Sequence, residues 1–541
     1  MLLSAPRFNW INELTKGFKD KMFFYFVLEL LSIVCSLGFV FFSKKAVDYA
    51  LGVDFYLLDK IILGVVFCSF LSVLCKILSQ RISQLILIGL TLKLQNNIIY
   101  KQMISVWNVI KKWHTGDLLV RLNSDVSEVV QMIGVTWMNF ILTTIKLIAS
   151  FAFLYVMDSR LALIVLAISP IFLLSKIYFR RMRKLNKEVK QAESELGAVM
   201  HENLKFRILI RSLGLIETRQ NKYENKQFIF ASLKKKALNF SLLTQTILKY
   251  TVNIGYITVF IWGVFRLHSG EITFGTMTAF LQLVAHIQSP ILSLIAVVPA
   301  FVRFGVSADR ILEIENVEVE PIVEQHPISE VRSIELKNVH FGYEDDLVLK
   351  GLNLNIKRGE SVAVVGGSGK GKTTFIRLLL ALLKPDSGEV LIEDDYCKKY
   401  IISTKHNVNF CYVPQGNTLF SGTIRENLML NAINISQEQL KRAIYISCSE
   451  FIYDLPNGLD TVIGESGMGL SEGQAQRLSI ARALIKGGEV LLFDECTSAL
   501  DDNTRTMFME RIFSFSQDKI AIFVTHDMIL AKRCDQTILI N

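Results

Sequence analysis

Long hydrophobic runs recur along the chain up to about residue 300, and the remainder alternates short apolar and polar stretches. Two of the runs are MFFYFVLELLSIVCSLGFVFF and LALIVLAISPIFLLS. A helix needs about 20 mostly apolar residues to cross a hydrocarbon core of about 30 Å. The pattern therefore predicts six membrane-spanning helices, at about 22–43, 56–78, 133–157, 160–179, 243–266 and 275–301.

The connections between these spans alternate between short and long. The two long ones, about 79–132 and 180–242, are rich in helix-forming residues and carry basic clusters such as RRMRKLNKEVK. Because basic loops stay in the cytoplasm, we expect both long connections there, as helical extensions of the spans joined by short crosswise helices. An even number of spans returns the rest of the chain to the cytoplasm.

The soluble part begins after a stretch that holds Pro321 and Pro327. Beyond it, short apolar strands alternate with helical patterns, which is typical of an α/β domain. We therefore predict an all-α, six-helix transmembrane domain over 1–310, a linker over 311–332 and an α/β nucleotide-binding domain over 333–541.

Composition agrees with a membrane protein. Hydrophobic residues make up 51% of the 541 residues, the mean hydropathy is +0.37 and the net charge is +9. We attribute the positive charge to cytoplasmic loops rather than to nucleic-acid binding, and the six spans exclude a soluble DNA-associated ATPase. The eight cysteines show no metal-ligand spacing and are interpreted as reduced thiols.

A phosphate-binding loop follows the short apolar strand 361–365. Its sequence GGSGKGKT fits the pattern G-x-x-x-x-G-K-[ST], in which glycine backbone N–H groups surround phosphate oxygens. Lys372 is expected to reach the β- and γ-phosphates, and the Thr373 hydroxyl is expected to bind Mg²⁺. The residues predicted to bind ATP in this loop are Gly366, Gly367, Ser368, Gly369, Lys370, Gly371, Lys372, Thr373 and Thr374.

Four further polar residues follow predicted strands and complete an ATP-hydrolysing site. Asp494 and Glu495 end EVLLFDE, where the first can bind Mg²⁺ and the second can activate the attacking water. Gln415, in CYVPQGN, is placed to sense Mg²⁺ and the water, and His526, in AIFVTHD, to contact the γ-phosphate. Tyr343 offers an aromatic face to the adenine.

A second anion-binding element lies at GMGLSEGQAQRLSIARAL. Small residues precede a helical pattern there, so exposed backbone N–H groups can meet a phosphate. The residues singled out are Ser471, Gly473 and Gln474.

These motifs resemble the nucleotide-binding domain of an ATP-binding cassette (ABC) transporter, and the whole chain resembles an exporter-type half-transporter. By this resemblance, 366–373 is the Walker A loop, Asp494 the Walker B aspartate, Glu495 the catalytic glutamate and His526 the switch histidine. LSEGQ is similar to the family signature LSGGQ, and Asp501 in SALD lies in the D-loop. TVIGESG resembles the exporter X-loop, and TGDLLVRLNSDV resembles the first coupling helix.

The resemblance implies a dimer, because in this family the signature closes over ATP bound by the partner chain. It implies ATP and Mg²⁺ as cofactors, hydrolysis at two composite sites and alternating access of the spans. A homodimer is favoured because Glu495 and the signature residues are present, and a heterodimer with a second half-transporter is the alternative. The expected location is the plasma membrane, the inner membrane of a bacterium, with the cassette in the cytoplasm.

The sequence carries little information about the transported solute. We expect export of an amphipathic solute (a lipid, a drug-like molecule or a peptide), and the alternative is a regulatory or channel-like membrane ATPase that transports nothing. Charged groups within membrane spans are costly and tend to face a cavity or a partner. The candidates for the substrate path are Glu29, Lys146 and His286.

One signature position departs from the family pattern. Glu472 replaces the first of the two usual glycines. A carboxylate facing the triphosphate would be unfavourable, so we expect its side chain to face solvent.

Overall fold

In the computed structural model the chain forms two compact units, Met1–Met103 with Trp113–Val317, and Ile104–Lys112 with Glu318–Asn541. The structure describes residues 5–52, 58–107, 113, 115–168, 175–320, 324–343, 346–367, 369–430, 435–464, 467 and 469–540. The unit that contains Trp113–Val317 is the membrane unit, and the unit that contains Glu318–Asn541 is the cassette unit.

The membrane unit is helical over its described residues. Its helices are α1 (Ala5–Leu14), α2 (Lys19–Leu51), α3 (Leu58–Ile104), α4 (segments Thr115–Val120, Val126–Gln131 and Trp137–Met157), α5 (Ser159–Ile168), α6 (Ser175–Lys205), α7 (Arg207–Ser212), α8 (Ile216–His268) and α9 (Phe274–Glu315). Two π-helical turns, Arg121–Asp125 and Met132–Thr136, join the segments of α4.

Among the described residues, four helical segments are long and apolar enough to cross a membrane: Lys19–Leu51, Leu58–Ile104, Asp117–Met157 and Phe274–Leu294. They correspond to the first, second, third and sixth predicted spans. The fourth, 160–179, includes residues 169–174, which lie outside the described ones. The fifth, 243–266, lies within α8 and is helical throughout. At 47 residues, α3 is about 70 Å long, more than twice a hydrocarbon core.

The stretch TGDLLVRLNSDV, compared above with the first coupling helix, is helical and forms the beginning of α4. Gly116 lies in its first turn. Ser105, Val106 and Trp107, which follow α3, belong to the cassette unit.

The cassette unit combines a parallel and an antiparallel sheet. The four-stranded antiparallel sheet has the order β2-β1-β4-β5, and the five-stranded parallel sheet has the order β11-β3-β10-β9-β6. The strands are β1 (Val331–Tyr343), β2 (Asp346–Lys357), β3 (Ser361–Val365), β4 (Ser387–Asp394), β5 (Lys399–Ile401), β6 (Phe410–Val413), β7 (Gly422–Thr423), β8 (Val462–Ile463), β9 (Val490–Asp494), β10 (Ile520–Val524) and β11 (Gln536–Leu539).

Helices flank these sheets: α10 (Lys372–Leu379), α11 (Ile424–Met429), α12 (Gln437–Ile446), α13 (Glu472–Lys486), α14 (Asp502–Phe515) and α15 (Met528–Arg533). The central strands β9 and β10 are buried at every residue, in agreement with their apolar sequences, in which the terminal Asp494 of β9 is the one charged residue. The predicted fold class, a helical membrane domain followed by an α/β domain, is confirmed.

Candidate nucleotide site

The phosphate-binding loop lies between β3 and α10, and its glycines are required by the backbone. Gly371 has φ of +103°, and a Cβ there would lie 2.5 Å from Val348 Cγ1. A Cβ at Gly366 would lie 2.6 Å from the Ile540 carbonyl oxygen. Because no side chain fits at these positions, the backbone can approach a phosphate closely.

Lys372 begins α10, and its ammonium donates to the carbonyls of Gly366 and Gly367 at 2.8 and 3.3 Å. The lysine therefore lies over the loop that it is predicted to serve. The side chains of Lys370 and Thr373 are exposed, and Thr374 is buried. Ser368 lies outside the described residues.

The predicted catalytic groups meet at the carboxyl edge of the parallel sheet, because β10, β9 and β6 are adjacent there. Gln415 Nε2 donates to Glu495 Oε2 at 2.7 Å. His526 Nδ1 lies 3.6 Å from Glu495 Oε1. The structure thus brings Gln415, Glu495 and His526 together, although each comes from a separate strand end.

Asp494 precedes Glu495 and is 3% exposed. Burial and the neighbouring Glu495 carboxylate raise the pKa of Asp494 to about 6, and Lys372 and Arg377 lower it only in part. A buried carboxylate with a raised pKa is poised to bind a cation.

Tyr343, at the end of β1, has its hydroxyl above α10. It accepts from Arg377 Nη1 at 3.3 Å and from Thr374 Oγ1 at 3.5 Å. Phe341 packs edge-on against its ring at a centroid distance of 5.0 Å. The aromatic ring is therefore oriented from two sides.

The signature element forms the N-terminus of α13. Ser471 caps the helix, accepting from Gln474 N at 3.2 Å, while Gln474 Oε1 accepts from Ser471 N at 2.9 Å. A Cβ at Gly473 would lie 2.6 Å from the Ala499 carbonyl oxygen, so glycine is required for contact with the D-loop. Glu472 is exposed in the first helical turn, where a negative charge is favourable.

Asp501 caps α14 by accepting from Thr504 N at 2.9 Å. This backbone hydrogen bond is the largest cause of the lowered pKa of Asp501. The carboxylate therefore stays charged and holds the D-loop against its helix.

Sequence reasoning missed Gln476. Its side chain is buried in α13, where Nε2 donates to the Glu495 carbonyl at 2.9 Å and Oε1 accepts from Ala499 N at 3.2 Å. This one amide therefore joins the backbone of Glu495, the predicted catalytic glutamate, to the predicted D-loop. A polar residue on the apolar face of a helical pattern was the available signal.

The three candidates for a substrate path lie on separate helices of the membrane unit. Glu29, on α2, accepts a hydrogen bond from Ser79 of α3. Lys146, on α4, lies within electrostatic range of Glu29 and of His286 on α9. Lys146 therefore lies within electrostatic range of both other candidates.

Comparison with known proteins establishes the class. Residues 349–498 match the ABC transporter family model, and residues 22–291 match the ABC transporter transmembrane region. The chain belongs to the ABC transporter family, as a membrane-spanning region fused to an ATP-binding cassette. It is an integral membrane protein whose ATP hydrolysis is coupled to transport.

Individual relatives are bacterial. The chain is 30% identical over 434 residues to a protein of Staphylococcus aureus (strain NCTC 8325 / PS 47). That relative carries the provisional name of multidrug export ATP-binding/permease protein. That match covers 79% of this chain and 75% of the relative. A counterpart from the bovine strain RF122 / ET3-1 is 29% identical over the same length.

A bacterial Atm1-family ABC exporter with ATP bound shares the fold. The TM-score is 0.81 at 23% sequence identity, over 97% of this chain and 93% of that one. The fold is therefore that of an ABC exporter.

Proposed function

We propose that this chain is half of a dimeric exporter that moves an amphipathic solute out of the cytoplasm or the inner membrane leaflet. The solute is a lipid, a drug-like molecule or a peptide. Two findings support this direction of transport: the exporter fold and relatives named for multidrug export. The membrane is the plasma membrane, the inner membrane of a bacterium, with the cassette in the cytoplasm.

The observation that carries the proposal is the position of Glu495. Its carboxylate is held by Gln415 at 2.7 Å and lies 3.6 Å from His526, beside the buried Asp494. A fixed carboxylate can accept the proton of an attacking water, which contributes about 10²–10⁴-fold to a rate. His526 is close enough to stabilise charge at the same position.

The residues fit ATP and Mg²⁺. The glycine loop leaves no room for side chains at Gly366 and Gly371, and the raised pKa of Asp494 marks a carboxylate that gains from a nearby cation. Asp494, Thr373 and Gln415 would hold Mg²⁺, and the ion would neutralise phosphate charge. ATP supplies the phosphoanhydride bond whose hydrolysis drives the cycle.

The signature residues would act on the ATP of a partner chain. Ser471, Gly473 and Gln474 lie at the N-terminus of α13, where backbone N–H groups favour an anion. Two composite sites then join two chains, preferentially identical ones, and closing of the cassettes drives alternating access of the spans.

The test is transport in proteoliposomes, with a fluorescent phosphatidylethanolamine and the cationic dye ethidium as probes. ATP added outside reaches the outward-facing cassettes, so at least one probe should move inward with wild-type protein and neither with Glu495→Gln. Rapid ATP hydrolysis without movement of either probe would contradict export and favour a regulatory ATPase.

A further inference from the structure

The short stretch that follows α3 pairs with the segment that precedes the cassette. Ile104 O accepts from Glu320 N at 2.8 Å, and Val106 N donates to Glu318 O at 3.2 Å. Ser105 and Val319 form an antiparallel bridge between these bonds. The stretch is thereby fixed within the cassette unit.

Trp107 comes next in the chain and packs against the core of the cassette unit. The guanidinium carbon of Arg377 lies 4.9 Å from the centroid of its ring. A guanidinium above an indole face is attracted by the π system, and its planar shape favours stacking.

The same guanidinium reaches the predicted adenine-binding ring. Arg377 Nη1 donates to the Tyr343 hydroxyl at 3.3 Å. Arg377 lies on α10, the helix that starts at the phosphate-binding loop. One side chain therefore contacts both Trp107, outside the nucleotide site, and Tyr343, within it.

We propose that Arg377 is a positioning residue that fixes the Tyr343 ring for the adenine of ATP and links it to Trp107. The inference rests on the proposed function in one respect, the contact of Tyr343 with adenine. Phe341 packs against one side of the tyrosine ring, and Arg377 with Thr374 holds its hydroxyl. Without the guanidinium, the ring loses one of the groups that orient it.

ATP binding and the contact between Arg377 and Trp107 must affect each other equally, because they are thermodynamically linked. If the Trp107 contact favours the ring position that binds adenine, bound ATP must stabilise the Trp107 contact by the same factor. The stretch 104–107, which follows directly on a membrane-spanning helix, then reports whether ATP is bound.

The first experiment measures ATP affinity by calorimetry on the full chain in nanodiscs, with Glu495→Gln in every sample to prevent turnover. Loss of a hydrogen bond and a cation–π contact should weaken ATP binding about three- to tenfold in Arg377→Ala. Arg377→Lys should lose nearly as much, because an ammonium does not reproduce the planar fork. Arg358→Ala removes a cassette arginine that pairs with Glu330 and should leave affinity unchanged.

A second background separates positioning from direct electrostatics. In Tyr343→Phe, which lacks the hydroxyl, Arg377→Ala should cause no further loss. If Arg377→Ala lowers ATP affinity equally with and without the Tyr343 hydroxyl, the proposal is overturned. Arg377 would then act through its charge near Asp494 and not through Tyr343. Unchanged affinity in Arg377→Ala would overturn it as well.

Lys372→Ala distinguishes a wrong nucleotide site from a wrong role for Arg377. If Lys372→Ala binds ATP normally, the proposed nucleotide site itself is wrong. If Lys372→Ala abolishes binding while the Arg377 variants bind normally, the positioning role alone is wrong.

The link to Trp107 is tested by hydrogen–deuterium exchange of peptides that cover 104–107. ATP should slow exchange there when Arg377 is present and not in Arg377→Ala. Equal protection in both proteins would overturn the link.

Discussion

Glu495 has a backbone conformation that residues other than glycine rarely adopt, with φ of +50°. Two hydrogen bonds hold it there: its N–H donates to Val524 O at 2.8 Å, and its carbonyl accepts from Gln476 Nε2 at 2.9 Å. Strained conformations of this kind persist only where neighbouring structure fixes them. Strand β10 and helix α13 therefore both determine where the carboxylate points.

Gly473 is predicted to tolerate no side chain. A Cβ would lie 2.6 Å from Ala499 O, and overpacking costs about 1–3 kcal/mol, so Gly473→Ala should lower the ATPase rate about tenfold by displacing the D-loop from α13. The matched control is Glu472→Ala, one residue earlier and exposed, which should stay within about twofold of wild type. A normal rate in Gly473→Ala would contradict the structural requirement for glycine.

The raised pKa of Asp494 predicts that folding stability and the Mg²⁺ requirement of the ATPase both depend on pH. Because the folded pKa of Asp494, about 6, lies above the ordinary aspartate value of 3.8, the folded protein holds this proton more tightly than the unfolded chain. Its contribution favours folding at low pH and is lost as the pH rises from about 4 to about 6. Protonation also competes with Mg²⁺, so the Mg²⁺ concentration for half-maximal ATPase should rise as the pH falls below about 6.

The measurement is a Mg²⁺ titration of the ATPase rate between pH 5.5 and pH 8. Asp494→Asn removes both the titrating group and a predicted Mg²⁺ ligand, so its ATPase rate should fall and any Mg²⁺ dependence that remains should not change with pH. A Mg²⁺ requirement independent of pH in the wild-type protein would contradict the predicted competition.

Candidate site residues could be predicted from the sequence where a polar residue directly follows an apolar strand. Asp494, Glu495, Gln415 and His526 each end an apolar run, and the parallel sheet brings such ends together. Gln476 could not be assigned a role in this way, because its partners are backbone groups fixed by tertiary packing.

Helices α4 and α9 are joined by a dense set of ion pairs near the N-terminal end of α4. Arg121 Nη1 lies 2.8 Å from Glu313 Oε2 of α9, and its Nε lies 2.8 Å from Asp117 Oδ2 of the same helix. Arg310 pairs with Asp117 at 2.5 Å and with Asp125 at 3.0 Å. The two helices are therefore held together by charged groups as well as by apolar packing.

Arg121→Met is predicted to destabilise the protein. The Arg121 side chain is 8% exposed, whereas its partners Asp117 and Glu313 are 36% and 56% exposed. The substitution removes hydrogen bonds between charged groups, which contribute about 1.5–3 kcal/mol each. The matched control is Arg303→Met, which breaks the pair with Glu128 on the same two helices but at a side chain 50% exposed. Thermal unfolding of the detergent-solubilised protein should show a clear drop in Tm for Arg121→Met alone, and equal drops would contradict the account.

The elements of the membrane unit were predictable from hydrophobic length but not from local capping signals. Asn123, Ser124 and Asp125 are residues that often begin a helix, yet α4 passes through them as a π-helical turn. The reason is tertiary: Asp125 accepts from Ser307 at 2.8 Å and pairs with Arg310, so its carboxylate is not available as a cap.

Across the whole chain, the change from long apolar runs to α/β patterns revealed two parts, one that lies in the membrane and one that is exposed to water. The family match to both parts confirms this organisation. The cargo could not be predicted, because it depends on side chains from several helices that the sequence does not place together. Glu29, Lys146 and His286 remain predicted members of the path.

We propose that two copies of this chain hydrolyse ATP together, with Glu495 as the base. The most direct test is the Mg-ATPase rate of the chain purified alone in lipid nanodiscs, beside Glu495→Gln. We predict activity in the wild type, a loss of at least about 10²-fold in the variant, and ATP binding in both. Near-normal turnover in Glu495→Gln would contradict the catalytic role, and ATP binding without turnover in the wild type would contradict a self-sufficient homodimer.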